Sequence, residues 1–162
     1  MFSHEDLATV EEIKSHYPTA LAAVMGVLHL YQDRHGWVSD DGAAYIAGLL
    51  DVPAEHVLGV VSFYEMYHQH PIGKYNLQVC TNVSCLLCGS DRVLEVLRER
   101  LGIGPGESSA DGLFTIHEAE CLGSCGTAPM MSVNKDYYEK LTPENVVEVI
   151  DRLSMEEQGS MS

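Results

Sequence analysis

The chain has 162 residues, enough for one or two small domains with cores of their own. Its 24 Asp and Glu outweigh 9 Lys and Arg for a formal net charge of −15, which sets aside nucleic acid and anionic membrane surfaces as partners. The longest apolar run, residues 20–28, falls well short of the ~20 residues of a spanning helix, which argues against direct membrane insertion.

The opening MFSHEDLATVEEIK has no basic region followed by an apolar stretch, so no secretion signal is expected and a cytoplasmic or otherwise reducing compartment is. Helical periodicity then dominates. Leu7, Val10 and Ile13 mark a first helix that Pro18 closes. Thr19 is the expected N-cap of a second, with Leu21, Val24, Met25, Leu28 and Tyr31 as its stripe and Gly36 as its end. Ser39 and Asp40 offer caps for a third, carrying Tyr45, Ile46, Leu49 and Leu50. Asp51 and Pro53 are expected to start a fourth, with Val57, Leu58 and Val61 inward. Residues 1–72 therefore read as an N-terminal helical bundle.

The period changes after Pro71-Ile72-Gly73. Residues 75–79 alternate as a strand, a loop follows from Cys80 to Ser84, and one helix is expected from near Leu86 to Gly102. Leu113 to Ile116 and Pro129 to Val133 read as further strands, and Asn134-Lys135-Asp136 as a hairpin turn into residues 137–140. Thr142 caps a last helix with Pro143 in its first turn, although Asn145 stands where a capping box would carry an acid. Residues 73–153 thus read as a β-α-β-β-α layer of the thioredoxin-like kind, and residues 154–162 as a disordered tail. The fold class is α+β/α/β: a helical bundle followed by a thioredoxin-like domain.

All five cysteines fall in this second half, which in a reducing compartment points to metal or redox chemistry. Four of them form two pairs, Cys80-x4-Cys85 and Cys121-x3-Cys125, each in a loop beyond a strand. Two parallel strands would bring those loops to one end of the sheet, and four converging thiolates are the ligand set of a [2Fe–2S] cluster. Gly123 and Gly126 permit tight turns around the sulfides. Thr81, Asn82, Ser84 and Ser124 are expected to place polar groups near the sulfurs, and the helix near Leu86 to aim its N-terminus at the loop. Such a cluster sums formally to −2 and becomes −3 on reduction, so in an acidic chain a potential of roughly −400 mV or lower is expected.

Cys88 leaves alternatives open. Cys80-x4-Cys85-x2-Cys88 copies the start of the plant-type ferredoxin spacing, and Cys85-Leu86-Leu87-Cys88 copies a thioredoxin-like dithiol at a helix N-terminus. A four-thiolate zinc module is a further reading, although structural zinc sites favour x2 spacing. The favoured reading leaves Cys88 a free, partly buried thiol.

The runs CTNVSC, LGIGPGE, DGLFTI and ECLGSCGTAPMM, with HGWVS and GVVSFYEMY upstream, resemble the thioredoxin-like [2Fe–2S] subunit of respiratory complex I along nearly the whole chain. The resemblance implies that Cys80, Cys85, Cys121 and Cys125 bind the cluster and that Cys88 does not. It implies a larger flavoprotein partner that holds FMN and NADH, other peripheral-arm subunits around it, and a place on the cytoplasmic side of the membrane. Electrons would be exchanged one at a time with the partner's FMN, and the isolated chain would catalyse nothing. Equivalent subunits of NAD-linked hydrogenases and formate dehydrogenases fit the same pattern.

Other features point less far. Residues 102–106, Gly-Ile-Gly-Pro-Gly, follow a helix instead of opening one, and Pro105 lacks the N–H a phosphate requires, so they read as a helix end. His68 and His70 complete no ligand set, and His117 reads first as a strand-end side chain. Trp37 is expected to anchor packing. Phe63, Tyr64, Met66 and Tyr67 suit core or partner surface equally.

Overall fold

The computed structural model describes residues 1–160. The chain forms two compact units, residues 1–71 and the chain from Ile72 onward.

The first unit is four helices: α1 (His4–Ser15), α2 (Ala20–His35), α3 (Asp40–Leu50) and α4 (Ala54–Phe63). Ser3 and Asp6 cap α1 reciprocally, and the Ser39 hydroxyl accepts from the Gly42 N–H at 3.0 Å to cap α3. Gly36 closes α2 with φ at 81°. The expected role of Asp51 is corrected: it ends α3 in the left-handed conformation, φ 53°, and Pro53 alone precedes α4. Val10, Val24, Leu28, Ile46, Val57 and Val61 are buried together, whereas Leu7, Leu21 and Leu58 face solvent. The apolar stripe of α2 is therefore centred on Ala23, Val24, Val27 and Leu28, one step round from the expected one.

The second unit holds β1 (Tyr75–Cys80), α5 (Val83–Leu87), α6 (Ser90–Leu101), β2 (Phe114–Ala119), β3 (Met131–Val133), β4 (Asp136–Tyr138) and α7 (Pro143–Ser160). The sheet order is β2-β1-β3-β4; β1 and β2 run parallel, and the other neighbours antiparallel. A parallel pair requires a crossover, and the stretch holding α5 and α6 supplies it. Leu77, Ile116 and Met131 of the sheet, Val93 and Leu97 of α6, and Val146 and Ile150 of α7 share one buried core. Gly73 lies against β2: its N–H donates to Thr115 Oγ1 at 2.6 Å, and a Cβ there would meet the Phe114 carbonyl carbon at 2.6 Å.

Three further expectations are corrected. The helix read from Leu86 to Gly102 is two helices, because Gly89 takes φ 98° and breaks it. The capping box of α7 is complete without an acid: Asn145 Oδ1 accepts from the Thr142 N–H at 2.8 Å, and Thr142 Oγ1 accepts from the Asn145 N–H at 3.3 Å. The tail read as disordered from Ser154 continues α7 to Ser160, with the Ser154 hydroxyl donating to the Ile150 carbonyl; residues 161–162 lie outside the described residues.

Candidate metal centre

Parallel pairing of β1 with β2 sets Cys80 opposite Ala119, so both cysteine loops leave the sheet at the same end. They are clasped to each other. The Thr81 N–H donates to the Ala119 carbonyl at 3.0 Å, and Asn82 Nδ2 donates to the Glu120 carbonyl at 2.9 Å. Asn82 Oδ1 in turn accepts from the Val83 N–H and starts α5, the helix that carries Cys85. Gly123 turns the second loop with φ at 79°, and residues 125–127 form a 3-10 turn that carries Cys125.

The thiols converge from both loops. The Cys80 thiol hydrogen-bonds with those of Cys85 and Cys121, and Cys85 lies within electrostatic reach of Cys125. Cys80 and Cys85 are buried against Met130, Leu122 and Ala128, whereas Cys121 and Cys125 are exposed. Burial pushes the Cys80 thiol up, but the N–H groups of Asn82 and Leu122 and the neighbouring thiols outweigh it and hold it below the ordinary value. Cys85 is pushed up to about 11, first by burial and then by its bond with Cys80, against a lowering N–H from Met130. Three backbone N–H groups thus already point at sulfur, the donors a buried anionic cluster requires. Among the described residues, no three His, Cys, Asp or Glu side chains are arranged to hold one metal ion. Four thiols from two loops, two buried and two at the mouth, suit the donor set of a dinuclear cluster.

The remaining residues fall elsewhere. Cys88, expected to be partly buried, is exposed, and it caps the C-terminus of α5, its N–H donating to the Ser84 and Cys85 carbonyls. The side chains of Thr81 and Asn82, expected near the sulfurs, reach the opposing loop's backbone instead. The Ser124 hydroxyl goes to Glu139 and lies 2.8 Å from that of Thr127. The helix expected to begin near Leu86 starts instead at Val83, as α5. Two N–H groups of the Gly-rich loop are taken by the chain itself: Gly104 donates to Glu107 Oε2 at 2.6 Å and Gly106 to the Ile116 carbonyl of β2 at 2.7 Å. His117 stands on β2 opposite Gln78, half-buried, with its pKa lowered by burial. His68 is used in the first unit, where its N–H donates to Gln32 Oε1 at 2.7 Å. Tyr67 is buried with its hydroxyl on the Met25 carbonyl, while Phe63 and Met66 are exposed. Glu139 lies outside the cysteine motifs, and Met130, although inside the run ECLGSCGTAPMM, contributes a backbone N–H that its residue type does not signal, so neither is legible in the sequence as a site group.

A thioredoxin-like sheet that launches two cysteine loops from adjacent parallel strands defines a small iron–sulfur protein. The family model for thioredoxin-like [2Fe–2S] ferredoxin matches residues 10–154, and the chain belongs to that family. It is 38% identical over 155 residues to the E subunit of the NADH-quinone oxidoreductase of Rickettsia bellii, covering 94% of this chain and 93% of that one. It is 44% identical over 131 residues to subunit 2 of the NADH-quinone oxidoreductase of Thermus thermophilus, covering 80% of this chain and 72% of that one. In fold it resembles an NAD+-reducing [NiFe]-hydrogenase in the H2-reduced state, with TM-score 0.70 and 19% identity over 80% of this chain and 22% of that one. No helix among the described residues is long and apolar enough to cross a membrane.

Proposed function

We propose that Cys80, Cys85, Cys121 and Cys125 hold one [2Fe–2S] cluster and that the chain is an electron-carrying subunit of an NADH:quinone oxidoreductase. The observation that carries this reading is the parallel β1–β2 pair, which brings both cysteine loops to one end of the sheet. When bound, the cluster supplies a one-electron store, which a hydride donor feeds only through a flavin. This chain's part is to bind the cluster on four thiolates, satisfy its charge with N–H groups, and leave one side accessible. The FMN and NADH then belong to a larger flavoprotein partner within a peripheral arm on the cytoplasmic side of the membrane. Similarity to quinone-reductase subunits over most of their length favours this complex over an NAD-linked hydrogenase or formate dehydrogenase.

The test is anaerobic reconstitution of the chain, with iron and labile sulfide counted and EPR recorded after reduction. Cys88→Ser is expected to keep the full cluster, and Cys121→Ser to lose it or change its signal. An intact signal in Cys121→Ser together with loss in Cys88→Ser would transfer the ligand set to the plant-type spacing. A colourless, EPR-silent chain with a single zinc would end the iron–sulfur reading.

A further inference from the structure

The end of β4 and its connection to α7 contribute no cysteine, yet together they grip the second cysteine loop. The Tyr137 hydroxyl donates to the Leu122 carbonyl at 3.1 Å. Glu139 Oε1 accepts from the Thr127 hydroxyl at 2.6 Å and also from the Ser124 hydroxyl. The Lys140 N–H donates to the Thr127 carbonyl at 2.8 Å, and the Leu141 N–H to the Pro129 carbonyl at 2.9 Å. Residues 137–141 therefore hold residues 122–129, the stretch that contains Cys125. Two of these contacts share one carboxylate oxygen and are charge-assisted, which makes them the strong ones. The loop requires outside support. Cys121, Gly123, Cys125 and Gly126 are all exposed, and Gly123 is left-handed.

We propose that Glu139 is a positioning residue for the cluster, gathering the Ser124 and Thr127 hydroxyls on one carboxylate oxygen and so fixing the turn that presents Cys125. This rests on the reading of Cys121 and Cys125 as ligands. Glu139 acts in two separable ways. Its oxygen holds the loop by hydrogen bonds, and its negative charge stands beside a site that becomes more negative on reduction. Glu139→Gln keeps an acceptor oxygen and removes the charge; Glu139→Ala removes both. Because Glu139 is exposed, neither variant empties a core.

The experiment compares the cluster-loaded chain with both variants by the rate of iron release to a chelator, followed as bleaching in the visible, and by the midpoint potential from an EPR-monitored titration. Glu139→Ala is expected to release iron roughly tenfold faster, the scale of losing charge-assisted hydrogen bonds. Glu139→Gln is expected to release iron at a rate closer to the native chain's but to be reduced more easily, because a less negative site accepts an electron more readily. Equal release rates and equal potentials in all three chains would overturn the proposal while leaving the ligand assignment intact. A native chain without stoichiometric iron would instead overturn the ligand assignment, and this inference with it.

Discussion

Asn82 and Asp6 each join segments that lie far apart in the chain, and neither advertises this in the sequence. Asn82 ties the first cysteine loop to the carbonyl of Glu120 and starts α5 with the same amide. Asn82→Ala removes both bonds, at a cost of about 1–2 kcal/mol, or on the order of 5–10 °C in the Tm of a domain this size. An unchanged Tm with unchanged iron retention would show that the clasp is idle. Asp6 accepts from the Ser3 N–H and hydroxyl at 3.0 and 2.8 Å and from Arg34 Nε of α2 at 2.8 Å. The Ser3 bonds first, and then Arg34, hold its carboxyl below the usual carboxylate range against the opposing effect of burial. The folded state therefore binds this proton less readily than the unfolded chain does. The stabilisation is fully present above the unfolded value of about 4 and is lost as pH falls through the folded one. Thermal unfolding of the native chain and Asp6→Asn should accordingly differ most near neutrality and converge in acid; a gap constant with pH refutes the linkage. The four cysteines are legible in the sequence because their spacing is local. The partners of Asn82 and Glu139 are not, because sheet register and the β4–α7 connection bring them together.

The two helices between β1 and β2 show where periodicity misleads. Leu86, Val93, Leu97 and Leu101 continue one apolar rhythm, so a single helix is the natural reading. Gly89, at φ 98°, divides it, freeing α5 to carry Cys85 and α6 to pack in the core. A Cβ on Gly89 would meet nothing within 4 Å, so Gly89→Ala carries a conformational penalty alone, about 1–2 kcal/mol. Gly89→Asn should cost less, since Asn tolerates the left-handed region. Gly73→Ala should cost more than either, because its methyl group would strike the backbone of β2. Denaturant midpoints ordered native, Gly89→Asn, Gly89→Ala, Gly73→Ala are expected, and Gly89→Ala at or above the native midpoint would remove the break's significance. The capping box of α7 is hard to read for a related reason. Its side-chain acceptor is an amide oxygen on Asn145, and geometry, not charge, makes the cap.

The change from helical to alternating rhythm near Gly73 places the two halves correctly in class, because the period of apolar residues is set by secondary structure alone. What rhythm does not carry is sheet order: the strand sequence β1, β2, β3, β4 becomes β2-β1-β3-β4 only through pairing across the crossover. The sheet, α6 and α7 of the second unit share one buried core, Cys80, Cys85 and Met130 form a smaller cluster beside the cysteine loops, the buried residues of the first unit, from Phe2 to Tyr67, form another core, and all four paired cysteines lie in the second unit. A fragment beginning at Ile72 should therefore fold cooperatively and hold iron and labile sulfide at the same ratio as the full chain, with an unchanged EPR signal. The complementary fragment, residues 1–71, should be helical and iron-free. If the fragment from Ile72 is recovered unfolded, or folded but unable to retain iron, the four-thiol loops depend on the helical unit and the separation of cores does not extend to function.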